Sequence, residues 1–378
     1  MVILHIAPLS FNKSSGVSVV VPNIVSNQNK IDGINSALII SKKLDLKTLE
    51  VERKKWDFSI YDYSNFNSFD LDKLDKPFNK PDIVIFHSTY IPAHLRMSKH
   101  LLKRGIPYIV VPHGGMTKFA QQQKKIKKKL GNILFLNKLI KTSKAVQYLS
   151  NGEAQNSNLW NKNFFVAGNG VDLPNVFNTV KDCSKDSINI SYIGRLDIQN
   201  KGLDCLVMAS SIIKEELLKN KVVINIYGSD YRGCRKILQN LISDNGLENI
   251  VKLHGPVYDN EKQRVLIGTD IFVLLSRSEG QPMSVLEALS FGIPCLLTPG
   301  TNLAEEVENY KCGWKVAIDP KDVAARLQLI IKDINMTDLY RVNAREFINK
   351  YYSWNSVTGT TLLQYKKVIE GLAFSVEI

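Results

Sequence analysis

Short apolar, β-branched or aromatic runs alternate with amphipathic stretches through the first half of the chain: Val2 to Ala7, Ala37 to Ile40, Ile83 to His87, Tyr108 to Val111 and Phe164 to Ala167. Strands that alternate with helices predict a parallel sheet. The pattern pauses from Val171 to Ser187, where Pro174, several Asn and Asp, Ser184 and Ser187 interrupt any periodicity, as expected of a linker. A second alternation follows, with Ile188 to Ile193, Val222 to Tyr227, Ile250 to Leu253, Ile271 to Leu275 and Pro294 to Leu297 as strands and segments such as Leu203 to Leu218 and Cys234 to Ile242 as helices. Trp354 to Ile369 reads as a final amphipathic helix, and periodicity alone leaves open which half it packs on. The pattern shows neither an internal repeat nor a low-complexity tract beyond a lysine cluster.

The length of 378 residues exceeds the size at which a single hydrophobic core stops growing, so two domains with room for a large cleft between them are expected. No window approaches the roughly twenty apolar residues of a membrane span. The start of the chain reads as a core strand rather than a secretory signal. Cys183, Cys205, Cys234, Cys295 and Cys312 are scattered and without CxxC spacing, which suits a reducing compartment. A cytoplasmic location follows as an expectation.

The net charge of +13 is concentrated. From Ile83 to Gly152 there is no acidic residue, while Arg96, Lys99, Lys103, Arg104, Lys118, Lys124, Lys125, Lys127, Lys128, Lys129, Lys138, Lys141 and Lys144 are basic. Such a field is aimed at phosphates, a lipid surface or nucleic acid. Within it, helical spacing predicts that Ile126, Leu130, Ile133 and Ile140 share a packing face, leaving Phe135 and Leu139 to enter an anionic membrane interface while the lysines of Lys118–Lys144 meet lipid phosphates.

Two segments carry chemistry. In Ser278-Glu279-Gly280-Gln281-Pro282-Met283-Ser284-Val285-Leu286-Glu287, just after a strand, Pro282 is expected as the first helical residue. The free amides of Met283, Ser284 and Val285 would then form an anion site at the helix start. Glu279 before that helix and Glu287 about one turn inside it are placed to accept from sugar hydroxyls. In Gly194-Arg195-Leu196-Asp197-Ile198-Gln199-Asn200-Lys201-Gly202, between a strand and a helix, glycine allows close backbone approach. Arg195 as a planar fork and Lys201 as a point charge both suit a diphosphate, and two such cations offset its charge without a metal.

Together these motifs resemble the family 4 retaining glycosyltransferases of GT-B fold. The likeness runs in order through Ser15-Gly16, Pro112-His113-Gly114, Asn169-Gly170-Val171-Asp172, His254-Gly255 and Pro299-Gly300-Thr301-Asn302. It implies an α/β chain of two Rossmann-like, doubly wound domains facing across a cleft: an acceptor-binding domain over 1–172, a nucleotide-sugar domain over 173–353, and a C-terminal helix at about 354–372 crossing back to the first. It also implies that Arg195 and Lys201 bind the donor diphosphate, Glu279 contacts the transferring sugar, Glu287 holds the ribose, Gly16 lets the first loop approach the phosphates and His113 lines the sugar pocket. The implied activity is metal-independent, retaining transfer from a nucleoside diphosphate sugar, UDP first and GDP second, with no further cofactor. The acceptor is a glycan or lipid-linked glycan of cell-surface polysaccharide synthesis (capsule, exopolysaccharide or O-antigen), reached at the inner face of the plasma membrane. The departing phosphate would take the acceptor proton on the front face. Two departures stand out: the first loop has one glycine where many members have two, and Gln281 stands where an aromatic is common.

Other classes fit less well. Asp70-Leu71-Asp72 offers the letters of a metal-binding Asp-x-Asp, but in a polar loop with no apolar strand before it. Ser14 to Ser18 lacks the G-x-G-x-x-G of a dinucleotide oxidoreductase, and no acidic and basic set suits the elimination chemistry of the GT-B sugar-nucleotide epimerases. A basic nucleic-acid-binding protein is the alternative from another class. Only Phe119 and Phe135 lie near the lysines as stacking surfaces, so no nucleic acid is expected. His5, His87, His94 and His100 show no zinc spacing and receive no role.

Overall fold

The computed structural model describes residues 1–11, 16–63, 69–157, 160–161, 163–175 and 187–372. Ser14, Ser15, Cys183 and most of the expected linker lie outside them. The chain divides into two compact units, one made of Met1–Gly170 together with the chain from Trp354 onward, the other of Val171–Ser353.

The first unit holds seven strands: β1 (Val2–Ala7), β2 (Asn35–Ile40), β3 (Ile60–Asp62), β4 (Ile83–His87), β5 (Tyr108–Val111), β6 (Ala145–Tyr148) and β7 (Phe164–Val166). They pair in parallel in the order β3-β2-β1-β4-β5-β6-β7. The second holds β8 (Ile188–Ile193), β9 (Val222–Tyr227), β10 (Val251–His254), β11 (Ile271–Leu274), β12 (Cys295–Leu297) and β13 (Gly313–Lys315), parallel in the order β10-β9-β8-β11-β12-β13. The expected α/β class of doubly wound parallel sheets is what the chain forms. In each sheet the order reverses once, between β1 and β4 and between β8 and β11. Ligands of open parallel sheets bind at the carboxyl ends of strands flanking such a reversal.

The strands absent from the sequence reading are short or polar. Gln147 sits fully inside β6 because its amide donates to the Ala167 carbonyl at 2.9 Å and accepts from Tyr365 Oη at 3.1 Å. Tyr365 and Val368 come from the last helix, Trp354–Glu370, which closes one face of the first sheet against Ile3, Ile83, Ile85, Ile109 and Val111. A Cβ on Gly170 would lie 2.2 Å from the Trp354 ring, so the glycine is required where the helix begins. Val171 bonds its amide to the Tyr352 carbonyl at 2.8 Å.

The basic segment departs from expectation. It is not one helix but Lys118–Gln122, Lys125–Gly131, a π-helical turn Asn132–Leu136 and Asn137–Thr142, with Lys124 left-handed at φ 50° between the first two. A π turn inserts one extra residue, which shifts the side-chain phase by about 100°. Leu136, Leu139 and Ile140 are therefore buried in the core, and Phe135 packs against it edge-on to Tyr90. Ile126 is 87% exposed, Leu130 57%, Ile133 65% and Leu134 64%. The assignment of Ile126, Leu130 and Ile133 to packing and of Phe135 and Leu139 to the outer surface is reversed. No helix among the described residues is long and apolar enough to cross a membrane.

Candidate active site

The two segments singled out in sequence leave the sheet at the reversal point of the second unit, one after β8 and one after β11. After β8 the backbone is crowded. Tyr192 Oη donates to the Arg195 carbonyl at 2.6 Å, and a Cβ on Gly228 would lie 1.9 Å from the Gly194 carbonyl oxygen. Asp197 caps the short helix Ile198–Lys201, accepting from the Asn200 amide. Gly202 then turns the chain at φ 64°, where a Cβ would be 2.1 Å from the Leu275 carbonyl oxygen. Arg277 binds the two loops together: its amide donates to the Asn200 carbonyl at 2.7 Å, and its guanidinium reaches the Ile198 carbonyl at 2.9 Å and Asp204 at 2.8 Å.

This packing brings Lys201 and Glu279 into an ion pair, Nζ to Oε1, with side chains only 15% and 16% exposed. Ser276 Oγ donates to the same carboxylate oxygen at 2.7 Å. The backbone of Glu279 is clamped by Asn302, whose Nδ2 donates to the Glu279 carbonyl at 2.7 Å, and by Gly300, whose carbonyl accepts the Glu279 amide at 2.8 Å. Arg195 lies over the Tyr231 ring at 4.8 Å, a cation–π contact that orients the guanidinium. One turn into its helix, Glu287 is paired with Lys262. His254 stacks on Tyr227 at 4.4 Å and bonds Asn225 Oδ1 at 2.9 Å.

The helix after β11 spans Met283–Ser290 with Pro282 as its cap, so it begins one residue later than expected. The Pro282 carbonyl accepts the Val285 amide at 3.0 Å. Val285 is thus committed to the helix and its side chain fully buried, so the outward amides are those of Met283 and Ser284 rather than all three.

The remaining candidates belong to the first unit. Gly16 opens the helix Gly16–Asn29, and a Cβ there would meet nothing within 4 Å. His113 follows β5 with φ 48°, in a turn held by the buried Glu153, which accepts from the Gly114 amide at 2.5 Å and the Leu149 amide at 2.7 Å. Burial raises the Glu153 carboxyl to about 7 against the pull of those amides. His113 Nε2 is 3.0 Å from His87 Nδ1, and His87 Nε2 is 2.9 Å from His5 Nδ1. Burial lowers His113 and His5 to about 4 and His87 well below its ordinary value, so all three rings are neutral at pH 7. Asp70 caps the turn Leu71–Lys73 and Asp72 pairs with Arg104, which occupies both carboxylates of that Asp-x-Asp.

Sequence reasoning passed over Lys262, Tyr231, His5 and His87. Lys262 is an ordinary helical lysine by its neighbours in sequence, and nothing local marks it.

Residues 178–347 match the family model described as glycosyl transferases group 1. The match falls in the second unit, Val171–Ser353. Relatives of this domain include the D-inositol 3-phosphate glycosyltransferase of Paenarthrobacter aurescens, 27% identical over 220 residues covering 55% of this chain and 52% of that one. Another is the UDP-Gal:alpha-D-GlcNAc-diphosphoundecaprenol alpha-1,3-galactosyltransferase of Escherichia coli, 26% identical over 194 residues, 48% of this chain and 49% of that one. The chain spans about half the length of each. Among solved structures, HepE of Anabaena in complex with UDP and glucose superposes with a TM-score of 0.73 at 16% identity, over 97% of this chain and 99% of that one. That likeness shows the fold, two parallel-sheet α/β units of GT-B type.

Proposed function

We propose that the chain is a retaining, metal-independent family 4 glycosyltransferase that moves a sugar from a nucleoside diphosphate sugar to a glycan or lipid-linked glycan in cell-surface polysaccharide synthesis. UDP is the first choice of nucleotide and GDP the second. The observation that carries the reading is the convergence, at one reversal point, of Arg195, Lys201, Glu279 and the outward amides of Met283 and Ser284. Cleavage between the anomeric carbon and the diphosphate develops negative charge on the leaving oxygen, and preformed cations and amides aimed there lower the barrier. Arg195, Lys201 and the helix start supply them from protein groups, without calling on a metal or other cofactor. Glu279 takes the transferring sugar, Glu287 the ribose hydroxyls, His113 the sugar from the first unit, and Gly16 gives the first loop room at the phosphates. Names among the relatives and solved structures include a UDP-galactose donor, a diphosphoundecaprenol acceptor and a UDP complex, which support this choice.

The enzyme works in the cytoplasm at the inner face of the plasma membrane, where Lys118–Lys144 meets anionic lipid and the exposed Ile126, Leu130, Ile133 and Leu134 enter the interface. Nucleic acid is not a partner.

A thermal-shift screen of nucleoside diphosphate sugars in excess EDTA tests the reading. One donor at a hundred times its dissociation constant should add about 2.7 kcal/mol, and transfer should persist with anomeric configuration kept. Strict need for added metal, or an inverted product by NMR, overturns it.

A further inference from the structure

Lys201 stands on an element that cannot hold itself. The helix Ile198–Lys201 is four residues long, and a single turn leaves its last carbonyls unpaired and has no stability of its own. Asp197 closes its start, accepting the Asn200 main-chain amide at 3.2 Å and the Asn200 side-chain amide at 2.8 Å. Its far end is closed from the loop after β11. The Arg277 amide donates to the Asn200 carbonyl at 2.7 Å, and Arg277 Nη1 donates to the Ile198 carbonyl at 2.9 Å.

The guanidinium is itself fixed. Its Nη1 and Nη2 donate to the two carboxylate oxygens of Asp204 at 3.1 and 2.8 Å, the forked pairing of a planar cation with a carboxylate. Asp204 lies in the first turn of the next helix, Leu203–Ile212, where a negative charge also suits the positive end of the helix. Arg277 therefore grips the chain at residues 198, 200 and 204, on both sides of Lys201. Between these points Gly202 is pressed onto the Leu275 carbonyl, which belongs to the same β11 loop. Two residues beyond Arg277 that loop carries Glu279, the partner of Lys201. By charge alone Arg277 would add a third cation to the site, but its fork is occupied by a main-chain oxygen and Asp204. A lysine could not replace it, because one ammonium cannot span a carbonyl and both oxygens of a carboxylate in one plane.

We propose that Arg277 and Asp204 are positioning residues that set Lys201 for the donor diphosphate. The inference rests on the reading that puts Lys201 at that group, and it adds what holds the cation there: a neighbouring loop places Lys201, and its own turn does not. The proposal fixes the sign of an effect. Asp204 is a negative charge close to an anion site, so by Coulomb's law alone its removal would favour a diphosphate. As the anchor of the clamp, its removal must instead weaken the diphosphate, because Arg277 and then Lys201 lose their places.

Calorimetry of the full chain with UDP separates the two effects. Lys201→Met should weaken UDP about tenfold, and Arg277→Lys, which keeps the charge but not the fork, should do so by a similar factor, the size of one charge-assisted hydrogen bond. Asp204→Asn should weaken UDP about threefold, and Asp204→Glu, which keeps the carboxylate, should recover most of that loss. In the Lys201→Met background, Arg277→Lys should cost less than about twofold more, because the clamp acts only through that lysine. If Arg277→Lys does not fold, the pair Asp204→Asn and Asp204→Glu carries the test, since Asp204 is at the surface of the loop with its side chain 38% exposed. Tighter UDP in Asp204→Asn, unchanged UDP in Arg277→Lys, or losses from Arg277→Lys and Lys201→Met that simply multiply would each overturn the clamp. UDP binding indifferent to Lys201→Met overturns instead the placement of Lys201 at the diphosphate.

Discussion

Lys201 and Glu279, 78 residues apart in sequence, are each other's partner, and Ser276 donates to the carboxylate oxygen that Lys201 holds. The cation proposed for the diphosphate and the carboxylate proposed for the sugar therefore neutralise one another, and under that proposal a bound donor competes with the pair. Glu279→Gln should release Lys201, tightening a free nucleoside diphosphate by about threefold to tenfold while transfer falls by on the order of a hundredfold. Calorimetry with UDP beside a transfer assay reads both, and weaker UDP binding in Glu279→Gln would show that the pair does not compete with the ligand.

Arg195→Ala and Lys201→Ala should each reduce transfer by on the order of a hundredfold with the melting temperature unchanged, as expected when a preorganised charge is lost from a developing anion. Tyr231→Leu, which removes only the ring under Arg195, should give a milder loss, because the guanidinium keeps its charge but loses its orientation. Equal losses in Tyr231→Leu and Arg195→Ala would assign the effect to loop folding instead.

Gly202→Ala should destabilise the second unit by about 2 kcal/mol or more. The new methyl meets a left-handed backbone and, 2.1 Å away, a main-chain oxygen that has no rotamer to yield. Urea unfolding measures it, and a midpoint equal to that of the parent would show that the loops after β8 and β11 are not in contact.

The legible parts of this chain were those whose chemistry is local. Gly194–Gly202 and Ser278–Glu287 could be read because strand, loop and helix start follow one another within a dozen residues. The row of hydrogen-bonded rings His5, His87 and His113 was not legible, since its members lie 82 and 26 residues apart and meet only through the fold. Likewise, no residue type announces the π turn at Asn132–Leu136, so a straight helical wheel assigned Ile126 and Leu139 to the wrong sides.

Acid should destabilise the fold between about pH 6.5 and pH 4. His5 and His113 at about 4, His94 at about 3 and His87 below its ordinary range all have folded values depressed by burial. The unfolded chain binds more protons in that window, so this stability is present above about 6.5 and lost as pH falls through the folded values, at about 1.4 kcal/mol per pH unit for each ring. Glu153 acts oppositely, its raised value adding stability in acid that is lost as pH rises through about 7, but it is one group against four. The urea midpoint should fall from pH 7 to pH 5, less steeply in His94→Leu. A flat profile would contradict the burial of these rings.

Liposome co-sedimentation should show binding to anionic and not neutral vesicles, lost in high salt. Changing Ile126, Leu130, Ile133 and Leu134 together to Ser should abolish it without lowering stability, since those side chains are exposed. Changing Lys124, Lys125, Lys127, Lys128 and Lys129 to Gln should do the same, each lysine contributing about 1 kcal/mol near an anionic surface. A protein that stays in the supernatant with anionic vesicles at low salt leaves the cluster as a solubilising or donor-steering surface.

The first unit is built from both ends of the chain, and this sets an order of events during synthesis. Val171–Ser353 is contiguous and can complete its core as soon as it leaves the ribosome. The sheet made earlier waits with Ile3, Ile83, Ile85 and Ile109 uncovered until Tyr365 and Val368 emerge. A nascent chain stalled near Ser353 would thus carry a finished second half and an apolar, open first half, the kind of species that chaperones hold.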